Sequence, residues 1–183
     1  MGEQEERPRL TYYVAQTLDG FIAESDGGVE FLNEVDHEGG EDYGYAAFYA
    51  TVDSLVMGRG TYAFVESAGT WHYAGKPCWV MTSQPVDAPP EDVRVSQRSP
   101  REVVDEIAER GCRETWLVGG GKLARAFANE GLLDRWIVSV VPYVMGEGIP
   151  LVAAGMRPAG LTLESHTVYP SGLVQLVYRS RAS

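Results

Sequence analysis

Two stretches of this sequence join a short apolar run, a glycine turn and the start of a helical pattern. The first is Val56-Met57-Gly58-Arg59-Gly60-Thr61-Tyr62-Ala63; the second is Leu117-Val118-Gly119-Gly120-Gly121-Lys122-Leu123. A helix that begins directly after a buried strand offers unpaired backbone N–H groups and a partial positive charge at its first turn. Glycine there lets the chain approach a ligand without a Cβ between them. The chemistry is that of a phosphate-sized anion site. Each turn also has a basic residue, Arg59 in one and Lys122 in the other. Gly58, Gly60 and Ala63 fit G-x-G-x-x-A, but a dinucleotide fingerprint also asks for an acid at the end of the next strand, to hold a ribose hydroxyl. That strand ends in Thr82-Ser83-Gln84. Hydroxyls and an amide suit a 2′-phosphate instead, with the Arg59 guanidinium to help hold it. Glycines that only shape a turn are the plainer alternative for either junction alone. Two such junctions in one small domain favour a ligand. The P-loop pattern G-x-x-x-x-G-K-[ST] is absent.

The elements that must position these turns alternate between strand and helix. Residues 10–16 are β-branched and aromatic and read as a first strand. Residues 39–52 carry Tyr45, Phe48, Tyr49 and Val52 at helical spacing. Residues 54–57, 78–81 and 93–96 read as short strands. The best-marked helix starts at Ser99, with Pro100 at N1, Glu102 at N3, and Val103, Val104, Ile107 and Ala108 on its apolar face. Gly111 follows as its C′ residue. A strand over 114–118, a helix over 122–129 and a longer strand over 135–144 come next. Residues 161–179, with Pro170-Ser171-Gly172 inside, read as a β-hairpin. The alternation predicts one α/β domain over residues 1–183, with a mostly parallel sheet, an antiparallel end and a flexible stretch at 1–8. The order of the strands in the sheet is not legible from the pattern.

Composition removes several classes. The chain has 183 residues, 44% of them hydrophobic, enough for one generous core. Fifteen Lys and Arg against 26 Asp and Glu give a formal charge of −11, which argues against a nucleic-acid partner. The most apolar run, 136–145, is interrupted by Ser139 and Pro142 and falls far short of the roughly 20 residues of a membrane span. Residues 1–8 have no apolar core of a secretory signal. A cytoplasmic protein with Cys78 and Cys112 as reduced, packed thiols is expected, a disulfide being the alternative. His37, His72 and His166 share no metal-ligand spacing, so no metal is expected. G-x-S-x-G is absent.

Taken together, Gly58-Arg59-Gly60-Thr61-Tyr62, Thr82-Ser83-Gln84-Pro85, Gly119-Gly120-Gly121-Lys122-Leu123 and Pro142-Tyr143-Val144-Met145-Gly146-Glu147-Gly148-Ile149-Pro150-Leu151 resemble the dihydrofolate reductase superfamily. Thr17-Leu18-Asp19-Gly20-Phe21-Ile22-Ala23 is closer to one branch, the reductase domain of the bifunctional riboflavin-biosynthesis deaminase/reductase and its stand-alone bacterial relatives. The resemblance spans roughly residues 10–179. It implies a dihydrofolate-reductase-like fold, a central sheet of about eight strands flanked by helices. It also implies an NADPH-dependent reductase similar to 5-amino-6-(5-phosphoribosylamino)uracil reductase. By that resemblance Arg59 and Thr61 hold the 2′-phosphate and pyrophosphate, Thr82 and Ser83 the adenosine-side phosphate, and Gly119 to Leu123 the pyrophosphate near the nicotinamide ribose. Ala15, Ile22, Gly58, Gly60, Gln84 and Val118 complete the implied cofactor set.

The substrate side departs from that pattern. Riboflavin reductases usually continue L-D-G with a substrate-site lysine; here the residue is Phe21, which neither donates a hydrogen bond nor neutralises a phosphate. Asp26, Glu30, Glu34 and Asp36 occupy the stretch where a dihydrofolate reductase has its substrate acid. Phe21, Glu30 and Trp71 are the candidate substrate contacts. Asp19, before the Gly20-Phe21-Ile22 loop, is the candidate catalytic residue, orienting substrate or closing that loop; its alternative is an Asx-type turn that caps local N–H groups. The expected activity is hydride transfer from NADPH to a small heteroaromatic, imine or carbonyl substrate. The alternatives are dihydrofolate-reductase-type activity and a nucleotide-binding module without turnover. A homodimer is expected from the apolar edges of the C-terminal strands, and light scattering at several concentrations tests it.

Overall fold

The computed structural model describes residues 7–35 and 41–181. In chain order the elements are β1 (Arg9–Thr17), β2 (Phe21–Ala23), a 3-10 helix (Glu30–Glu34), α1 (Tyr45–Thr51), β3 (Ser54–Gly58) and α2 (Arg59–Ser67). There follow β4 (Cys78–Met81), β5 (Val93–Ser96), α3 (Pro100–Glu109), β6 (Glu114–Gly119), α4 (Gly121–Asn129), β7 (Arg135–Val141), β8 (Ile149–Pro150), β9 (Leu161–Val168) and β10 (Val174–Ser180). Eight strands form one sheet in the order β5-β4-β3-β6-β1-β7-β10-β9, and β2 pairs with β8 in a separate ribbon. The first six are parallel and the last two antiparallel.

Sequence composition follows position in this sheet. The inner strand β3 reads Ser-Leu-Val-Met-Gly with its first four residues buried, as a strand covered on both faces must. The edge strand β9 leaves Leu163 and Val168 exposed. Along β1, Leu10 and Tyr12 join the core under α3 and α4, while Tyr13 packs into the core under α1 and α2. This is the two-residue period of a strand.

The two crossovers that matter leave the sheet in opposite directions. From β3 the chain passes through α2 to β4; from β6 it passes through α4 to β7, beyond β1. Tyr62 and Val65 of α2 pack with Leu55 and Met57, whereas Ala124 and Phe127 of α4 pack with Val56 and Leu117. The helices therefore lie on opposite faces. Since β3 and β6 are neighbours, a crevice opens outside their carboxyl ends, where open α/β sheets bind ligands.

The capping expectation for α3 holds in detail. The Ser99 N–H donates to Glu102 Oε2 at 2.8 Å, and the Glu102 N–H donates to Ser99 Oγ at 3.4 Å. Gly111 adopts φ +77 at the far end. Ser99→Ala removes this cap, and thermal melts are expected to show a loss of about 1 kcal/mol, or roughly 2–4 °C in Tm. An unchanged Tm would assign the cap no energetic role.

Several boundaries differ from the sequence expectation. The strand expected over 135–144 ends at Val141, because Pro142 lacks an N–H and the Tyr143 N–H turns back to Val141 O at 2.7 Å. The helix expected over 39–52 begins only at Tyr45. Asp42 accepts the N–H groups of Gly44 and Ala46, both at 2.9 Å, and the left-handed Tyr43 and Gly44 make a turn there; residues 39 and 40 lie outside the described residues. The segment read as a flexible Gly20-Phe21-Ile22 loop is partly strand, paired with Pro150 and Ile149. Arg7, placed by sequence in a flexible stretch, instead grips Asp134 through two hydrogen bonds of 2.7 and 2.8 Å. Residues 1–6 of that stretch lie outside the described residues. Both cysteines are free and buried, and burial pushes the Cys78 thiol up to about 12.

Candidate functional site

The two glycine junctions, with Gly58 and Gly119 61 residues apart in sequence, are side by side. Met57 pairs with Gly119 across β3 and β6. A Cβ on Gly58 would lie 3.9 Å from Gly119 O, and one on Gly119 would lie 3.2 Å from Thr61 Oγ1. The Gly119–Gly120 peptide is cis. The N-cap residues of α2 and α4 are Gly58 and Gly120, and neither helix has a side-chain cap among the described residues. Two sets of first-turn amides thus converge at one crevice. Such amides seek an acceptor, and the helix ends favour an anionic one.

Arg59 is the first residue of α2 and brings a positive charge to that helix. Its guanidinium lies over the Tyr62 ring, 5.6 Å from the centroid, and Nη1 stands 4.0 Å from Glu66 Oε2. Nε and Nη1 are buried and have no hydrogen-bond partner among the described residues. Buried guanidinium nitrogens with unmade hydrogen bonds are costly unless a ligand completes them. The crevice has close walls. A Cβ on Gly121 would run into Pro150 O, while one on Gly60 would meet nothing within 4 Å. Lys122 is exposed at the first turn of α4, and Leu123 is half-buried. At the end of β4, Thr82 Oγ1 accepts the Gln84 N–H at 2.9 Å, leaving Ser83 and Gln84 exposed at the rim.

Asp19 clasps two loops. Thr17 Oγ1 donates to Asp19 Oδ1 at 2.5 Å, the Met145 N–H to the carboxylate at 3.1 and 3.2 Å, and the Gly146 N–H to Oδ2 at 2.7 Å. The Thr17 hydroxyl first, then the Gly146 and Met145 amides, hold the Asp19 carboxyl below its ordinary 3.8. A depressed folded value stabilises the clasp above about that ordinary value and loses it as pH falls through the lower one. The Met145 and Gly146 amide shifts should therefore titrate with a midpoint below 3.8. A midpoint at or above it would remove these donors from the account. The bonds reach across 126 and 127 residues, so this is not the local Asx turn considered from sequence.

The other substrate candidates lie apart. Phe21 and Ile22 are half-buried in β2, and Phe21 pairs with Pro150. Glu30 is exposed at the start of the 3-10 helix, where it and Asp26 raise the pKa of Glu24, after burial. Trp71 packs against Tyr62 and Tyr73, its indole N–H buried without a hydrogen-bond partner among the described residues. Asp26 and Glu34 are exposed, and Asp36 lies outside the described residues.

A cavity of about 400 Å³ lies on the sheet face that carries α1 and α2. Tyr13 and Ala15 of β1, Trp116 of β6 and Ser139 of β7 line it, together with Asp42 and Tyr45. Ala15 is directly opposite Ser139 in the sheet, two residues before the end of β1. Gln175 Nε2 donates toward Tyr43 O at 3.0 Å, Ser139 Oγ at 3.1 Å and Tyr13 Oη at 3.3 Å. Burial, more than any neighbour, raises the Tyr13 phenol. Of these residues the sequence alone marks only Ala15 as a site residue. The period-two pattern of β1 was the signal that places Tyr13 on the same face as Ala15.

The parallel sheet, the crevice at its reversal point and the antiparallel end define a dihydrofolate-reductase-like α/β domain. A dihydrofolate reductase from Enterococcus faecalis, solved with NADP(H), matches it with a TM-score of 0.66 over 95% of this chain and 97% of that one, at 17% identity. A putative riboflavin biosynthesis protein from Shewanella sp. PV-4 matches with a TM-score of 0.87 over 95% of this chain and 99% of that one, at 27% identity. The RibD C-terminal domain model matches residues 8–175, and the chain belongs to that family. It is 36% identical over 144 residues to the uncharacterized protein YwjB of Bacillus subtilis, covering 78% of this chain and 82% of YwjB. It is 29% identical to the riboflavin biosynthesis protein RibD of Corynebacterium ammoniagenes, covering 80% of this chain but 47% of that longer protein.

Proposed function

We propose that this chain is a reductase that takes hydride from NADPH and delivers it to a small heteroaromatic, imine or carbonyl substrate. One observation carries the cofactor assignment: two uncapped helix N-termini meet at the sheet's reversal point, and Arg59, at the start of one of them, has buried guanidinium nitrogens without a hydrogen bond among the described residues. The residues present fit a pyrophosphate and a 2′-phosphate. The amides at the starts of α2 and α4, with Thr61, would hold the pyrophosphate. Arg59, helped by Ser83 at the rim, would hold the 2′-phosphate as a charge-assisted pair. The dinucleotide would supply the hydride, and the chain would position it and exclude water. Membership of the RibD C-terminal domain family, with a riboflavin biosynthesis protein RibD among the relatives, supports a RibD-like reductase domain.

The test is a tryptophan-fluorescence titration with NADPH and, in parallel, NADH. Saturable binding that prefers NADPH is the expected result. Equal binding of the two would remove the 2′-phosphate role, and no binding of either would leave the turns as structural features. Saturable binding with no oxidation across a panel of pteridines and pyrimidines would favour a module that holds nucleotide without turnover.

A further inference from the structure

We infer that the aromatic cavity beside the crevice is the substrate chamber, and that it takes a flat, phosphate-free ring, neutral or positively charged. This rests on the cofactor reading above and names the substrate class of that same site. The cavity and the crevice share strands: Ala15 lies two residues before the end of β1, and Trp116 lies three before Gly119. A ring in the cavity therefore lies beneath the carboxyl edge at which the two helices start.

The lining decides what fits. Tyr13, Tyr43, Tyr45 and Trp116 supply aromatic surface, and the volume of about 400 Å³ suits a ring system of small-ligand size. The polar groups of the floor are engaged with one another, since Gln175 spans Ser139, Tyr13 and the Tyr43 carbonyl. Among the described residues that line the cavity there is no Lys, Arg or His, and the single charged group is Asp42. The Ala46 and Gly44 amides keep the Asp42 carboxyl below its ordinary range, so it is an anion at neutral pH. A phosphate-bearing tail here would meet a carboxylate and, among the described lining residues, no cation. A cationic ring would meet that carboxylate and tyrosine and tryptophan rings, both of which favour it.

Three bicyclic probes of similar shape separate the possibilities: 1-methylquinolinium, 2-naphthol and 2-naphthyl phosphate. Each is titrated by calorimetry into the full chain, with and without saturating NADPH, and the Trp116 indole N–H resonance reports where it binds. The quinolinium is expected to bind at least tenfold more tightly than the naphthyl phosphate, with the naphthol between them, and to shift the Trp116 signal. Asp42→Asn, which keeps an acceptor for the turn, should shrink that ratio at least threefold. Tyr45→Ala, at an exposed ring, should weaken all three probes without lowering NADPH affinity. Tighter binding of the naphthyl phosphate, or probe binding that leaves the Trp116 signal unmoved, overturns the inference. NADPH binding with the wrong probe order would sink this proposal alone; the expected probe order without NADPH binding would sink the cofactor reading alone.

Discussion

Gly121→Ala is expected to lower Tm by about 6–12 °C, the largest effect of any single methyl group in this site. The new Cβ would collide with Pro150 O and stand 3.3 Å from both Leu151 O and Ala153 N. All three are main-chain atoms, and that segment is held in several places. The Ala153 N–H donates to Gly121 O at 3.1 Å, the Leu151 N–H to Gly20 O at 2.9 Å, and the Tyr12 hydroxyl to Leu151 O at 3.0 Å. Relief requires moving the whole strap, so the cost is that of overpacking, about 3 kcal/mol, and each kcal/mol is worth roughly 2–4 °C at this chain length. The same displacement should weaken NADPH, because α4 starts at Gly121. Gly60→Ala is the control. Its Cβ meets nothing within 4 Å, and alanine is favoured over glycine in a helix by up to about 1 kcal/mol. A Gly121→Ala protein that melts within about 2 °C of the parent would show that the strap yields easily.

Arg59→Ala is expected to weaken NADPH by roughly ten- to a hundredfold, with little change for NADH. A hydrogen bond to a charged group contributes about 1.5–3 kcal/mol, and the partly exposed side chain places the effect toward the lower half of that range. Removing the guanidinium also removes its contact with the Tyr62 ring, a stability effect of roughly 0.5–1 kcal/mol at such a site. Melting curves separate that loss from the binding loss. Equal weakening of the two cofactors would mean that Arg59 acts on the shared pyrophosphate or only shapes α2. Arg59→Lys keeps the charge but not the planar donors, so an intermediate NADPH affinity is expected.

The glycine crevice was more legible than the aromatic cavity. Gly58 and Gly119 stood out because glycine after a buried strand and before a helix has a physical reason of its own. The helix from Pro100 was readable from Ser99 and Glu102, since a capping box acts within four residues. Local interactions of this kind are written in consecutive residues. Asp19 was found but its action was not, because the Met145 and Gly146 amides it holds come from a distant part of the chain. Asp42 was passed over inside an expected helix. The left-handed turn at Tyr43 and Gly44 that ends that expectation sits beneath Tyr169, whose ring packs edge-on to Tyr43 with centroids 4.9 Å apart.

The sequence by itself determined the strands and helices of the main sheet to within a few residues, where the two glycine turns lie, and that a strongly acidic chain still keeps a basic residue at each of them. These follow from period, capping and backbone freedom, all of short range. Only the tertiary structure decided that β3 and β6 are neighbours whose crossovers part to opposite faces, which merges two weak turns into one crevice. It alone gathered Tyr13, Trp116, Ser139 and Asp42 around one cavity. Strand order is set by how whole layers bury their apolar faces together, and no window of the sequence contains that information.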